Sequence, residues 1–250
     1  MPDIVVVFAA LAWEAAAVRR ALRNVVACGS PRGWVGARPN GGCCLLVQTG
    51  IGPERAAAAA TAVPDDARAF LALGCAGGLA PAPRTGDLVL ASEIAQTDAD
   101  GTPRSRWPAR GRPVVELANR TGLVVHLGPL ASSPVVLRDA DAKARFARRS
   151  GAVAVAMEDG PLAAAAAARG LPFASVRTIL DEAHEAVPEL SSILDLETGD
   201  VRLVRAALEL PRRPEVWRAL IRLGWQRRRA AASLRAAAKA LLGSPGRVLD

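Results

Sequence analysis

The chain has 250 residues, 51% of them hydrophobic and 22% charged, a globular composition that excludes a disordered polar chain. That length buries a full core without disulfide or metal support and fits one large α/β domain or two small ones. No run of about 18 apolar residues is free of charges and breakers, and Asp3 rather than a basic cluster precedes the first apolar run, so neither a spanning helix nor a secretory leader is expected. Four cysteines (Cys28, Cys43, Cys44, Cys75) and two histidines (His126, His184) lack metal-ligand spacing. The expectation is therefore no metal or other cofactor and a reducing, cytoplasmic compartment. The formal charge of +8 is uneven. Residues 201–250 hold 12 Arg/Lys against 3 Asp/Glu, a net of +9, while the first 200 hold 20 against 21, a net of −1. Only two of the 32 basic residues are lysines, Lys143 and Lys239, a bias that carries no function. The basic character belongs to one C-terminal segment and gives no general argument for nucleic acid.

In chain order, Ile4 to Phe8 reads as a strand buried on both faces, followed by a helix from Ala12 to Leu22. Cys44 to Gln48 is a second strand, closed by the turn Thr49-Gly50-Ile51-Gly52, after which Pro53 opens a helix to Thr61. Ala69 to Leu73 is a third strand, ending in Gly74-Cys75-Ala76-Gly77-Gly78, and Leu88 to Ile94 a fourth. The polar, proline-rich segment 98–113 reads as a long loop. Gly122 to Leu127 and Ala152 to Ala156 are the fifth and sixth strands, Leu162 to Arg169 a helix stopped by Gly170, and Phe173 to Leu180 the seventh strand. Residues 185–200 are irregular, and helical spacing returns from Pro214 to Leu242. Alternating strands and helices indicate a mixed sheet with helices on both faces. The expected organisation is one domain over 1–200 with a basic helical extension over 201–250, packed on or beside it.

In such sheets ligands bind near the carboxyl ends of the strands. Here those ends carry Glu14, Glu158-Asp159, Arg177 and Asp181 directly after apolar runs, where charges are expensive unless paired or used. Each has an ordinary explanation taken singly. Gly50-Ile51-Gly52 is a tight turn, Glu158 and Asp159 favour the positive end of a helix, Glu14 is a solvated helix residue, and Asp181 is a cap.

Taken together and in order, the pieces AALAWE (9–14), TGIG (49–52), GCAGGLAPAPRTGDLVLASE (74–93), AVAVAMED (152–159) and LPFASVRTILDEA (171–183) resemble the nucleoside phosphorylase/nucleosidase superfamily. The resemblance implies a single-domain three-layer α/β/α sandwich that cleaves the N-glycosidic bond of a nucleoside. It implies that Asp181 acts on purine N7, that Glu158 holds the ribose hydroxyls with Met157 against the sugar, that Glu14 polarises the attacking water, and that Arg177 lies near that water. Cys75, Gly77 and Val136 fall at substrate-contacting places, Val136 within Ser132–Val136, whose backbone would read the base. The chemistry fits those residue types. Ribosyl–purine cleavage passes through an oxocarbenium-like state, so a carboxylic acid protonates the leaving base while a carboxylate on the other face takes a proton from water.

Two departures and the tail refine the reading. Phosphorylases of the superfamily show Gly-Asp-Pro-x-Arg after the first strand; here Ala10-Leu11-Ala12-Trp13-Glu14 puts an anion where phosphate would sit, which favours hydrolysis. Leu180 stands where serine usually precedes the catalytic aspartate, so Asp181 needs another partner or is more desolvated. From Pro214 to Leu242, Trp217, Leu220, Ile221 and Trp225 recur at helical spacing among Arg218, Arg222 and Arg227–Arg229, the pattern of either a membrane-surface helix or a packed helix with an arginine face. Tail and LDEAHEAVP segment are similar to the hopanoid-associated branch, which implies adenosylhopane as substrate, a lipid-linked nucleoside, with peripheral contact at the inner membrane face. Methylthioadenosine/S-adenosylhomocysteine or futalosine hydrolysis, phosphorolysis, and a non-catalytic binding protein are the alternatives. The superfamily also implies a homo-oligomer, and the sequence, with no aromatic-interleaved basic strand and no recognition motif, gives no expectation of nucleic acid.

Overall fold

The computed structural model describes residues 4–29, 32–110, 114–187 and 214–243. The expected domain boundary at 200/201 lies outside them, as do the side chains of Trp217, Arg218 and Leu220. The strands are β1 (Ile4–Ala9), β2 (Arg23–Cys28), β3 (Gly33–Ala37), β4 (Cys43–Gln48), β5 (Ala67–Gly78), β6 (Leu88–Thr97), β7 (Pro103–Pro108), β8 (Val125–Ser132), β9 (Ala154–Ala156) and β10 (Phe173–Asp181). The helices are α1 (Ala12–Arg19), α2 (Pro53–Thr61), α3 (Val114–Thr121), α4 (Ala140–Ser150), α5 (Asp159–Ala168) and α6 (Pro214–Leu242).

β1 has apolar residues on both faces because it lies between β4 and β5, parallel to each. Its side chains alternate between two cores. Val5 and Val7 join Leu71 and Leu73 of β5 on one face; Val6 and Phe8 join Phe70 and Ala72 on the other. The first face is covered by α1, α3 and α6, through Val18, Leu117 and Leu234. The second is covered by α2 and α5, through Ala56 and Leu162. The result is the expected three-layer α/β/α sandwich on a mixed sheet, and the C-terminal helix shares its core.

β5 is the hub. It pairs in parallel with β1 and β10, and then its Gly77-Gly78 end turns to pair antiparallel with β9. Because β10 also pairs β6, β6 pairs β8 and β8 pairs β9, the strands β5, β10, β6, β8 and β9 close into a ring.

Several expectations need correction. The segment 98–113 is not one loop: β7 pairs antiparallel with β6, Trp107 opposite Ile94. Pro103 and Pro108 stand at its two ends, where a missing N–H donor costs an edge strand little. The strand expected over Gly122–Leu127 runs over Val125–Ser132, since α3 occupies the preceding residues and Gly122, at φ 67°, ends that helix. β2 and β3 form an antiparallel hairpin at the sheet edge. Their exposed residues break the apolar run that marks a central strand.

Leu234 is fully buried where α6 meets the sheet. Leu234→Ala is expected to cost about 2–5 kcal/mol, read from urea unfolding of the full chain. A cost under about 1 kcal/mol is the mark of a helix that does not share the core.

Candidate active site

The carboxyl ends of β1, β5 and β10 and the N-terminus of α5 surround a cavity of about 230 Å³. Glu14, Cys75, Gly77, Val136, Met157, Glu158 and Asp181 all line it, as the sequence places them, in a wall otherwise mostly apolar, with Leu11, Ile51, Val155 and Leu180.

Glu14 sits in the first turn of α1, yet its side chain is 1% exposed. It folds back over the start of its own helix. Oε2 accepts the N–H groups of Ala10 and Leu11, both at 2.9 Å, and Oε1 accepts that of Cys75 at 2.7 Å. The carboxylate thus ties β1 to β5. Gly74 makes room for this: a Cβ there would lie 2.9 Å from Glu14 Oε1 and would overlap Arg177 Nη1. Burial, and then the neighbouring Glu14, push the Cys75 thiol well above its ordinary value, so it stays a neutral lining group.

Glu158 begins α5. Its Oε1 accepts from Gly52 N–H at 3.0 Å and Oε2 from Met157 N–H at 3.3 Å. That is the service of the Thr49–Gly52 turn: it delivers a backbone donor across 106 residues of sequence. Gly52 holds φ +106°, ψ 162°, a conformation essentially restricted to glycine. Burial raises the Glu158 carboxyl above its usual range, although Arg177 and the Gly52 N–H pull it down.

Asp181 lies at the end of β10, where the pairing with β5 slips between Ile179 and Asp181, leaving Leu180 as a bulge. Strict alternation would send Leu180 and Asp181 to opposite faces; with the bulge both line the cavity. Asp181 Oδ2 lies 3.1 Å from where a Gly77 Cβ would sit. Its partner is Lys143, which reaches in from α4 and ion-pairs with Oδ2. Burial raises the Asp181 carboxyl and Lys143 holds it down; the balance remains upward.

Arg177 is not among the lining residues. It is 2% exposed and bound to the fully buried Asp159, with Nη2–Oδ2 at 2.6 Å and Nε–Oδ1 at 3.4 Å. Burial alone would make it a weaker base, but Asp159, Glu158 and Glu14 together outweigh that and raise it. The guanidinium is the shared counter-charge one layer behind the cavity wall.

Sequence reasoning missed Lys143 and the counter-ion task of Asp159. The signal for the first was available: Lys143 is one of two lysines in a chain that otherwise uses arginine. The 84–87 part of the third motif has a clear task too. Arg84 and Thr85 hold the Glu182 carboxylate at 2.7 and 3.1 Å, and Gly86 N–H donates to Ile179 C=O at 2.9 Å, so the loop clamps the end of β10.

Architecture and site together define an α/β protein with a mostly apolar cavity into which carboxylates are set. The chain belongs to the Phosphorylase superfamily, whose family model matches residues 4–210. The 5′-methylthioadenosine/S-adenosylhomocysteine nucleosidase from Neisseria meningitidis, solved with methylthio-immucillin-A, superposes with a TM-score of 0.72 at 22% identity, covering 97% of this chain and 100% of that one. The futalosine hydrolase of Helicobacter pylori gives 0.69 at 18% identity, covering 95% and 97%. The methylthioadenosine/S-adenosylhomocysteine nucleosidase of Streptococcus pneumoniae, solved with 8-aminoadenine, gives 0.66 at 24%, covering 95% and 99%. At these identities the likeness establishes the fold.

Because Glu158 binds its proton more tightly folded than unfolded, it contributes full stability at low pH and loses it as the pH rises through its raised folded value. Glu158→Gln keeps an oxygen for the Gly52 N–H and removes the buried charge. The variant is expected to melt above the wild type at about pH 8, with the gap closing by about pH 4. Melting curves followed by circular dichroism check this; a gap that does not change with pH contradicts it.

Proposed function

We propose that this chain hydrolyses the N-glycosidic bond of a purine nucleoside, with adenosine bearing an apolar 5′ substituent as its substrate. The observation that carries the reading is the gathering of Glu14, Glu158 and Asp181 in one cavity. Asp181, its carboxyl raised by burial, gives its proton to purine N7, and the electron pair of the breaking C1′–N9 bond leaves with the base. Glu158 spends one lone pair of each oxygen on backbone N–H groups and has others for two ribose hydroxyls. Glu14 takes the proton from the water that attacks C1′. Arg177 acts through the two glutamates, as the cation behind Gly74.

Water rather than phosphate is the nucleophile in this reading. Backbone N–H groups at strand ends and helix starts are natural anion holders. Here those of Ala10, Leu11 and Cys75 are already taken by Glu14, so the anion in that place is the protein's own.

The finer substrate reading is adenosylhopane, giving ribosylhopane and adenine at a membrane surface. Its support is the exposure of α6 at Ile221 and Trp225, which are 67% and 68% exposed. Arg222 donates to Ala186 C=O at 3.0 Å, next to Val187, which lines the cavity. Apolar and cationic side chains beside the cavity mouth fit an anionic bilayer. No helix of the described residues is long and apolar enough to cross one.

Incubating the protein in parallel with adenosylhopane, methylthioadenosine and futalosine, and identifying the products, tests the reading. Adenine release is expected from the 5′-substituted adenosines, and Asp181→Asn is expected to lower kcat by about 10²–10⁴-fold. Turnover that survives Asp181→Asn removes the acid assignment, and ribose-1-phosphate products on adding phosphate overturn hydrolysis. For the membrane contact, Trp225→Glu is expected to reduce flotation with vesicles rich in anionic lipid. Equal flotation of the two proteins, or none by the wild type, excludes it.

A further inference from the structure

The bulge at Leu180 removes the most economical partner for Asp181. A serine before the aspartate would offer a hydroxyl; leucine offers no donor. Lys143 fills this gap from a different element. Asp139 caps α4 by accepting from Ala142 N–H at 2.6 Å, which fixes the first turn and aims Lys143 inward. The side chain is 1% exposed. Its ammonium has three donors, and three acceptors meet it: Asp181 Oδ2, Glu182 C=O at 2.8 Å and Glu185 C=O at 2.9 Å. With every donor used, the charge cannot swing away.

We infer that Lys143 is a positioning residue for Asp181, fixing the carboxyl and stabilising the negative charge left on it when its proton passes to the departing purine. The inference rests on the nucleosidase reading and deepens it. As the C1′–N9 bond breaks, the proton of Asp181 goes to N7 and a carboxylate remains in a desolvated wall. A hydroxyl partner would meet that anion with a single neutral hydrogen bond. An ammonium meets it with a full charge that strengthens as the anion forms, so it favours the transition state over the ground state.

The other charges around Asp181 sharpen the assignment. Glu185, on the segment after β10, is the like charge nearby, and its Oε2 is engaged by Glu182 N–H at 2.8 Å and Gln226 Nε2 at 2.7 Å. Glu182 turns outward to Arg84. Glu14 and Glu158 line the same cavity. Among the described residues, Lys143 is the cation in contact with Asp181. Removing it leaves the acid among carboxylates alone. The direction follows: without Lys143 the carboxyl holds its proton to higher pH and gives it up less readily.

The test compares kcat against pH for the wild type, Lys143→Met and Lys143→Arg, with methylthioadenosine as the probe. Lys143→Met is expected to lower kcat by about 10²-fold or more, with KM within a few-fold. Its basic limb is expected to move up by about one pH unit or more. Lys143→Arg keeps the charge and is expected to keep the limb near its wild-type position. A folded Met variant whose limb does not move overturns the inference, whatever its rate. A second readout does not depend on turnover. Lysine labelled with 15N at Nζ gives two signals from this chain, and Lys143→Arg identifies the one from Lys143. That signal is expected to shift as Asp181 titrates and to lose the shift in Asp181→Asn. A signal indifferent to Asp181→Asn sinks the pairing. A wild type that releases base from no nucleoside instead defeats the nucleosidase reading, while the labelled lysine still reports on the pair.

Discussion

Moving an unpaired carboxylate out of water costs several kcal/mol even after the protein relaxes, and this chain places Glu14, Glu158, Asp159 and Asp181 at one end of one sheet. Each is compensated differently. Asp159 meets a buried guanidinium directly, in a two-pronged pair. Glu14 is met by three backbone donors from two elements. Glu158 receives two more, one of them from a remote glycine turn. Asp181 has an ammonium. The fold around the cavity is largely the apparatus that brings those compensating groups to their places: the tight turn before α2, the absent side chain at Gly74, the bulge in β10 and the cap on α4.

The compensation is deliberately unequal in its effect. Asp159 and Arg177 neutralise each other and face no guest. Glu158 and Asp181 remain raised by burial despite their partners. The paired charges lie behind the wall; the incompletely compensated ones line the cavity.

The central strands were legible because burial on both faces leaves an apolar run, unbroken in Ile4–Phe8 and dominant in Phe173–Leu180 despite Ser175, Arg177 and Thr178. The edge hairpin β2–β3 and the strand β7 carry polar or exposed residues and leave no such run, so periodicity passed over them. The same logic divides the site. Acids that end apolar runs announce themselves, and Glu14, Glu158 and Asp181 do line one cavity. Arg177 announced itself equally, yet lies behind the wall, because sequence gives a residue's element but not its depth. Lys143 follows no strand. It sits in a charged helix whose outward face carries Arg148 and Arg149, and only tertiary structure separates one buried cation from its exposed neighbours. Local pattern cannot report a partnership made across 38 residues.

The closed circuit of β5, β10, β6, β8 and β9 has a mechanical corollary. In an open sheet a strand can slide by two residues at the expense of its own ladder; in a hoop, any slide must be matched by every member. Asp181, at the end of β10, is therefore held at a fixed height relative to the Gly77 end of β5. The rim above them is different in kind: residues 133–139 and 182–187 are irregular segments, joined to each other by the bond from Val187 N–H to Arg138 C=O at 2.7 Å. The second of them also carries the Glu182 and Glu185 carbonyls that receive Lys143. A fixed ring under an irregular rim thus separates the part of the cavity set by sheet register from the part set by loop conformation.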